Sequence, residues 1–349
     1  MSASEERILE FDGVRALAFL AVFMHHAVRM PLGWMGVDLF FVLSGFLITR
    51  ILLRLRCETP GTTLGRFYLR RAIRIVPAYY IALTLIYLTY PSLRPGSLWF
   101  YGFASNVLDG VGPTWLGVSR EVGGGPLRAM WSIALEAQFY LIWPWLILFL
   151  SRRALPVLFV SLIIAAPLFR VLFQAVDREA VYRLMPCRMD LLAAGALASH
   201  LDDVQPRWLS ARRRELAVLA VLSATLFLSL TVLDRQFRSV GNGTLFNVAG
   251  YGLSTVLCTA LLLYVRVAPG GPLGRLLRFP ALRYVGQISY MAYLSHLYFL
   301  MVFMATLGFG RVLSAALSLV ATLTFASVTW FSVEKPLLRL RVGPERRPA

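Results

Sequence analysis

The chain has 349 residues, 58% of them hydrophobic and 15% charged, with a mean hydropathy of +0.67. A soluble domain is roughly 45–50% apolar; here the excess falls in runs long enough to cross a hydrocarbon core, which takes about 20 helical residues. The formal net charge of +17, from 35 Lys and Arg against 18 Asp and Glu, sits in short segments flanking those runs, which reads as membrane topology rather than as a nucleic-acid surface.

The N-terminus, Met1 to Phe11, carries Glu5, Glu6 and Glu10. It is not the basic leader of a signal peptide, so the first span should be retained. Ten segments read as spans: Phe11–Met30, Gly36–Leu55, Ile75–Pro91, Met130–Leu150, Ala154–Val176, Cys187–Leu201, Leu216–Leu233, Leu245–Val265, Tyr284–Phe309 and Val312–Val333. Cys187–Leu201 is short for a span. A further apolar stretch, Leu98–Leu108, is shorter still and reads as re-entrant or interfacial. The fold expected is an all-α polytopic membrane helix bundle of about ten transmembrane helices plus that short segment. A single transmembrane domain is expected over 1–349, with its core at 11–336 and no soluble accessory domain. With Leu98–Leu108 left out and the N-terminus inside, 23 of the 35 cations fall inside and 11 outside, with Arg15 within the first span. That bias places the chain in the cytoplasmic membrane with both termini in the cytoplasm. Cys57, Cys187 and Cys258 show no metal-site or disulfide spacing.

Charge inside a span is a functional signal by default. In the first span, Arg15 and His26 are eleven residues apart, which puts them ~20° apart on the helix and ~16 Å along it. His25 points about 80° away. His26 reads as a general base acting near neutral pH, or as a buried neutral histidine bonded to a carbonyl. A metal held by the adjacent pair is disfavoured, because neighbouring helical residues diverge and no ligand set completes it. Asp38, at the start of the second span, could orient a histidine as a triad acid does, or serve as a helix N-terminal carboxylate. The loop after that span, RFYLRRAIR, lets Arg71 and Arg74 converge at i,i+3 and Arg70 and Arg74 at i,i+4, suiting a phosphate or an anionic lipid surface. In the fourth full span Ser132, Glu136 and Tyr140 recur at i, i+4, i+8. Glu136 there can act in acid–base chemistry, position an acceptor or pair with an Arg. In the ninth, Ser289, Tyr293 and His296 share a stripe that reads as a polar packing seam. Glu334 and Lys335 mark the membrane edge.

These segments together resemble the acyltransferase-3 family of integral membrane acyltransferases. The resemblance rests on Arg15 with His26, the run from Asp38 to Phe46 that includes Ser44, Arg71 with Arg74, and the run from Trp131 to Tyr140. Arg188 with Gly195, the run from Ser289 to His296, and Glu334-Lys335-Pro336 also fit. It spans Phe11–Pro336. It implies transfer of an acyl group, commonly acetyl, from acyl-coenzyme A to a hydroxyl on a sugar, glycan or macrolide-type acceptor, without a metal. It implies that His26 is the essential histidine with Arg15 beside it, and that Arg71 and Arg74 contact the donor phosphates. The mechanism expected is direct: His26, supported by Asp38 or Glu136, deprotonates the acceptor, and Arg15 is a candidate oxyanion donor. Ser44 and Ser132 stand as alternative nucleophiles. The rivals are a transporter of a small anion or sugar and a non-catalytic partner in an envelope assembly.

Overall fold

The computed structural model describes residues 8–56, 59–112, 124–234, 240–306 and 310–339. Glu5, Glu6, Cys57 and the expected end of the ninth span at Phe309 lie outside the described residues. In chain order the helices are α1 (Leu9–Val28), α2 (Met35–Leu55), α3 (Pro60–Thr89), α4 (Ser97–Tyr101), α5 (Ser105–Val111), α6 (Met130–Phe149), α7 (Ala154–Gln174) and α8 (Ala180–Arg183). They continue as α9 (Met185–Val204), α10 (Pro206–Ala211), α11 (Arg213–Leu233), α12 (Tyr251–Val267), α13 (Pro272–Leu277), α14 (Pro280–Met301), α15 (Arg311–Thr329) and α16 (Lys335–Arg339). Among the described residues nine helices are long and apolar enough to cross a membrane. The sixth expected span, Cys187–Leu201, is not among the nine; it extends to the 20 residues of α9, ~30 Å. It is therefore not short, as its apolar stretch implied. What keeps it from reading as a lipid-facing span is charge, and the structure buries that charge against α2 and α7.

Backbone and side-chain pairings fix the helix directions. Tyr290 donates to the Ile75 carbonyl and the Thr89 hydroxyl meets Tyr298, so α3 and α14 run parallel. Trp143 donates to Thr49 at 2.8 Å while Glu136 meets Ser44, so α2 and α6 run parallel in the opposite sense. Thr89 near the end of α3 and Ser132 near the start of α6 both lie beside the second half of α14. The segment between them therefore returns to the end it left. It does so as α4 and α5, tied down by Tyr79 donating to the Phe100 carbonyl at 2.9 Å and by an amide pair of Asn106 with Gln138. Gln138 lies about two turns inside α6, so the excursion dips between helices rather than lying flat on the surface.

One expectation is corrected here. The arginine segment after the second span is not a loop: α3 begins at Pro60, and its 30 residues carry Arg66, Arg70, Arg71 and Arg74 on continuous helix. The bundle thus has two distinct ends. The arginine end holds the start of α1, the first half of α3 and the segment from Trp330 to Arg339, which packs on α3. The histidine end holds the close of α1, the start of α2 and the second half of α14. Inner helices α1, α2, α9 and α14 are largely buried, whereas α7 and α11 turn Ile164, Leu168, Val218, Val221 and Leu226 outward. That apolar belt, on helices long and apolar enough to cross a membrane, suits acyl chains.

Candidate active site

The close of α1 is shaped by a left-handed cap at Arg29, φ 60°. His25 Nδ1 lies 3.0 Å from the Met30 carbonyl and ties the turn down. His26 makes no such bond among the described residues. Its half-buried ring borders a cavity of about 1190 Å³ that opens at the histidine end. Trp34, Arg128, Trp131, Tyr182 and Tyr293 also line it. Arg29, Arg128, Arg178 and Arg183 outnumber Asp177 and Glu179 on the wall and leave it net basic, with Arg183 engaged by Asp109 at 2.7 Å and Glu179 at 2.8 Å. Burial pushes the Asp109 carboxyl up to about 6 against the opposing pull of Arg183, because the charged form loses hydration that one guanidinium does not fully replace.

Arg15 does not line that cavity. It points the same way as His26, but the separation of ~16 Å along the helix carries it to a second polar centre nearer the arginine end. Its electrostatic neighbours there are Asp12, Arg74, Glu136 and Tyr140. Arg71 stacks its guanidinium over Phe67 and Tyr140, 5.8 and 5.9 Å from the ring centroids. Glu136 accepts from both Ser44 and Tyr140, and Ser44 also meets Tyr140 at 3.1 Å. Arg70 is exposed, whereas Arg71 meets this centre through the Tyr140 ring and Arg74 through Arg15. Arg15 is too far from His26 to stabilise an oxyanion beside it, which corrects that expectation.

Asp38 is likewise placed away from His26. Its carboxylate is fully buried, bound by Arg188 and by the Ser254 hydroxyl at 2.5 Å. Arg188 is held between the rings of Tyr182 and Tyr251, each 4.9 Å away. A second buried pair, Arg170 with Asp190 at 2.9 Å, adjoins it. Asp38 therefore neutralises a buried arginine and cannot also orient His26. Glu136, committed to Ser44 and Tyr140, does not orient it either, and both hydroxyls are held by that carboxylate.

A polar column joins the two centres. Beside His26 stands His296, ring centroids 5.3 Å apart; then Tyr293, whose hydroxyl meets Ser132 at 2.7 Å; then, one turn along α6, Glu136. Ser289 donates to its own helix at the Gly286 carbonyl and has only a packing part. Sequence reasoning missed Trp34, Arg128 and Tyr182, because they come from three separate segments with no shared spacing. Chemically, the arrangement offers an unbonded imidazole facing a large cavity at one end and Arg15, Arg71 and Arg74 around Glu136 and Tyr140 at the other.

Three relatives resemble the chain over most of its length. The peptidoglycan O-acetyltransferase OatA of Listeria monocytogenes is 29% identical, over 96% of this chain and 56% of that protein. The putative peptidoglycan O-acetyltransferase YrhL of Bacillus subtilis is 29% identical, over 93% and 54%. The O-acetyltransferase OatA of Staphylococcus aureus is 28% identical, over 82% and 49%. The chain thus spans about half the length of these curated relatives. No solved structure matches it significantly. The acyltransferase-3 model, described as an acyltransferase domain, matches residues 8–331, and a match of that extent decides against the transporter: the chain belongs to this family of membrane acyltransferases.

Proposed function

We propose that the chain moves a short acyl group, acetyl by analogy with its relatives, from acyl-coenzyme A to a hydroxyl of a glycan. The observation that carries this reading is the separation of the two centres: Arg71 and Arg74 beside Arg15 and Tyr140 at one end, His26 on a cavity at the other, with a polar column between them. Arg71 and Arg74 offer forked, permanently charged donors that match phosphate oxygens. Their cytoplasmic placement follows from the positive-inside bias, and coenzyme A thioesters are found on that side. Arg15, Glu136 and Tyr140 lie next along the column, where they would steady the donor's polar arm.

At the cavity, His26 takes the proton from the acceptor hydroxyl as that oxygen forms its bond to the thioester carbonyl carbon. The carbon–sulfur bond then breaks, and His26 returns the proton to the departing thiolate, giving ester and free thiol. Tyr293 and the basic wall at Arg128 border the space where the developing oxyanion would sit. A cavity of about 1190 Å³ is larger than the 300–1,000 Å³ usual for small ligands and admits an oligosaccharide. Peptidoglycan is the acceptor named for two relatives, and a glycan is preferred here over a macrolide on that ground.

The test is transfer by protein purified in detergent, with radiolabelled acetyl-coenzyme A and muropeptide or oligosaccharide acceptors. His26→Ala should lower kcat by a factor on the order of 10²–10⁴, the worth of a general base. Arg71→Ala with Arg74→Ala should raise the donor KM and leave much of kcat at saturation. Full activity in His26→Ala, or an unchanged donor KM in the arginine pair, would overturn the respective assignment.

A further inference from the structure

His296 lies on α14 with no exposure to solvent. Its Nδ1 is 2.6 Å from the Tyr293 carbonyl oxygen. A carbonyl only accepts, so Nδ1 carries the proton and Nε2 holds a lone pair. That Nε2 is buried and has no hydrogen-bond partner. A buried acceptor left unsatisfied is unfavourable, so its surroundings decide what it is for. Four rings surround it: Phe19 at 6.4 Å, Phe23 at 6.5 Å, Tyr293 at 5.5 Å and His26 at 5.3 Å between centroids. Two of these have no polar hydrogen. The Tyr293 hydroxyl is already engaged with Ser132 at 2.7 Å. His26 alone has an N–H to offer.

We infer that His296 is the positioning residue of His26, accepting the His26 N–H on Nε2 while its own Nδ1–H is fixed by the Tyr293 carbonyl. The inference rests on the reading of His26 as the base. A linear N–H···N bond of ~3 Å between two imidazoles sets their centroids about 5.3 Å apart, the spacing observed. The rings stand at that separation without the bond being made, an alignment of the kind that tightens when substrate binds. The arrangement selects one tautomer of His26. The nitrogen bonded to His296 keeps its hydrogen, and the other presents its lone pair to the cavity. When His26 takes the acceptor's proton, the new charge lies on a ring whose inner N–H is still held. A buried aspartate does this in a hydrolase triad. Here Asp38 and Glu136 are committed elsewhere, and a neutral imidazole does it, at no cost in buried charge.

The experiment compares His296→Phe, which keeps a ring of similar shape in an aromatic pocket, with His296→Gln, which restores a carbonyl acceptor. Both are assayed beside wild type and His26→Ala. The expected result is a Phe variant with unchanged melting temperature and donor KM but kcat lowered about 10²-fold or more, the range seen when an orienting group is lost. The Gln variant should recover most of that loss. A Phe variant within about threefold of wild-type kcat would overturn the assignment, as would equal losses in Phe and Gln. A second measurement does not depend on the variants folding. The chain has four histidines, so ¹⁵N-histidine NMR of the wild-type protein in micelles reads each tautomer. His296 must be protonated at Nδ1 alone, and a proton on its Nε2 refutes the proposal. An active His26→Ala would instead remove the base reading, whatever the His296 variants do.

Discussion

Arg188 and Asp38 are both fully buried, and a lone ion in such a setting costs several kcal/mol. Each is tolerated because the other is there, aided by Ser254 and by the Tyr182 and Tyr251 rings. Arg188→Ala should therefore destabilise the protein by about 3–5 kcal/mol, the usual penalty for stranding one member of a buried pair. The reading is a lower melting temperature in detergent and loss of the monodisperse peak on gel filtration. Asp38→Leu combined with Arg188→Met should restore much of the stability, since apolar replacement of a whole buried pair is often neutral. An Arg188→Ala protein as stable as wild type would show that the pair carries no such weight. The sequence singled out Asp38 because a carboxylate in a span demands a partner. It could not say which, since Arg188 is 150 positions away and only folding brings them together.

At the scale of elements, α2 and α9 pack more extensively than any other pair, and two glycines permit it. A Cβ on Gly45 would collide with the Leu192 carbonyl, and one on Gly195 with the Val42 carbonyl. The two backbones thus meet directly, the close approach that small residues allow where lipid gives no hydrophobic drive between helices. Gly45→Ala and Gly195→Ala should each lower the melting temperature and weaken the Arg50–Asp202 bridge, 3.2 Å, farther along the same crossing. Gly252→Ala, with nothing within 4 Å of its Cβ position, should leave it unchanged. Equal effects at all three sites would sink the packing argument. Gly45 lies seven residues from Asp38 and so ~20° around the helix from it, a face for close approach that the helical period alone marks. The full length of α9 was not legible in sequence, because its charged residues break the hydropathy that marks a span, and burial against α2 and α7 is invisible to local composition.

The whole molecule is polarised from end to end. Arg15 and His26 share one helix yet serve different centres, because a helix holds direction while its rise separates positions. If the arginine end is cytoplasmic, a membrane-impermeant maleimide applied to intact cells should label Arg29→Cys and spare Arg70→Cys, both exposed positions at opposite ends, in a background lacking the native cysteines. The opposite pattern would reverse the proposed sidedness, and with it the side on which the donor is met.

Sequence by itself determined that this is a helical membrane bundle, that Leu98–Leu108 does not cross it, and that Arg71 and Arg74 lie one turn apart on a helix. Each of these depends on local hydropathy, charge or helical period, which are properties of neighbours in the chain. Tertiary structure alone decided that Asp38 answers Arg188, that Glu136 answers Ser44, and that His296 stands against His26. Those pairings join residues tens to hundreds of positions apart, and the need of a buried polar group for a partner names no address until the helices have packed.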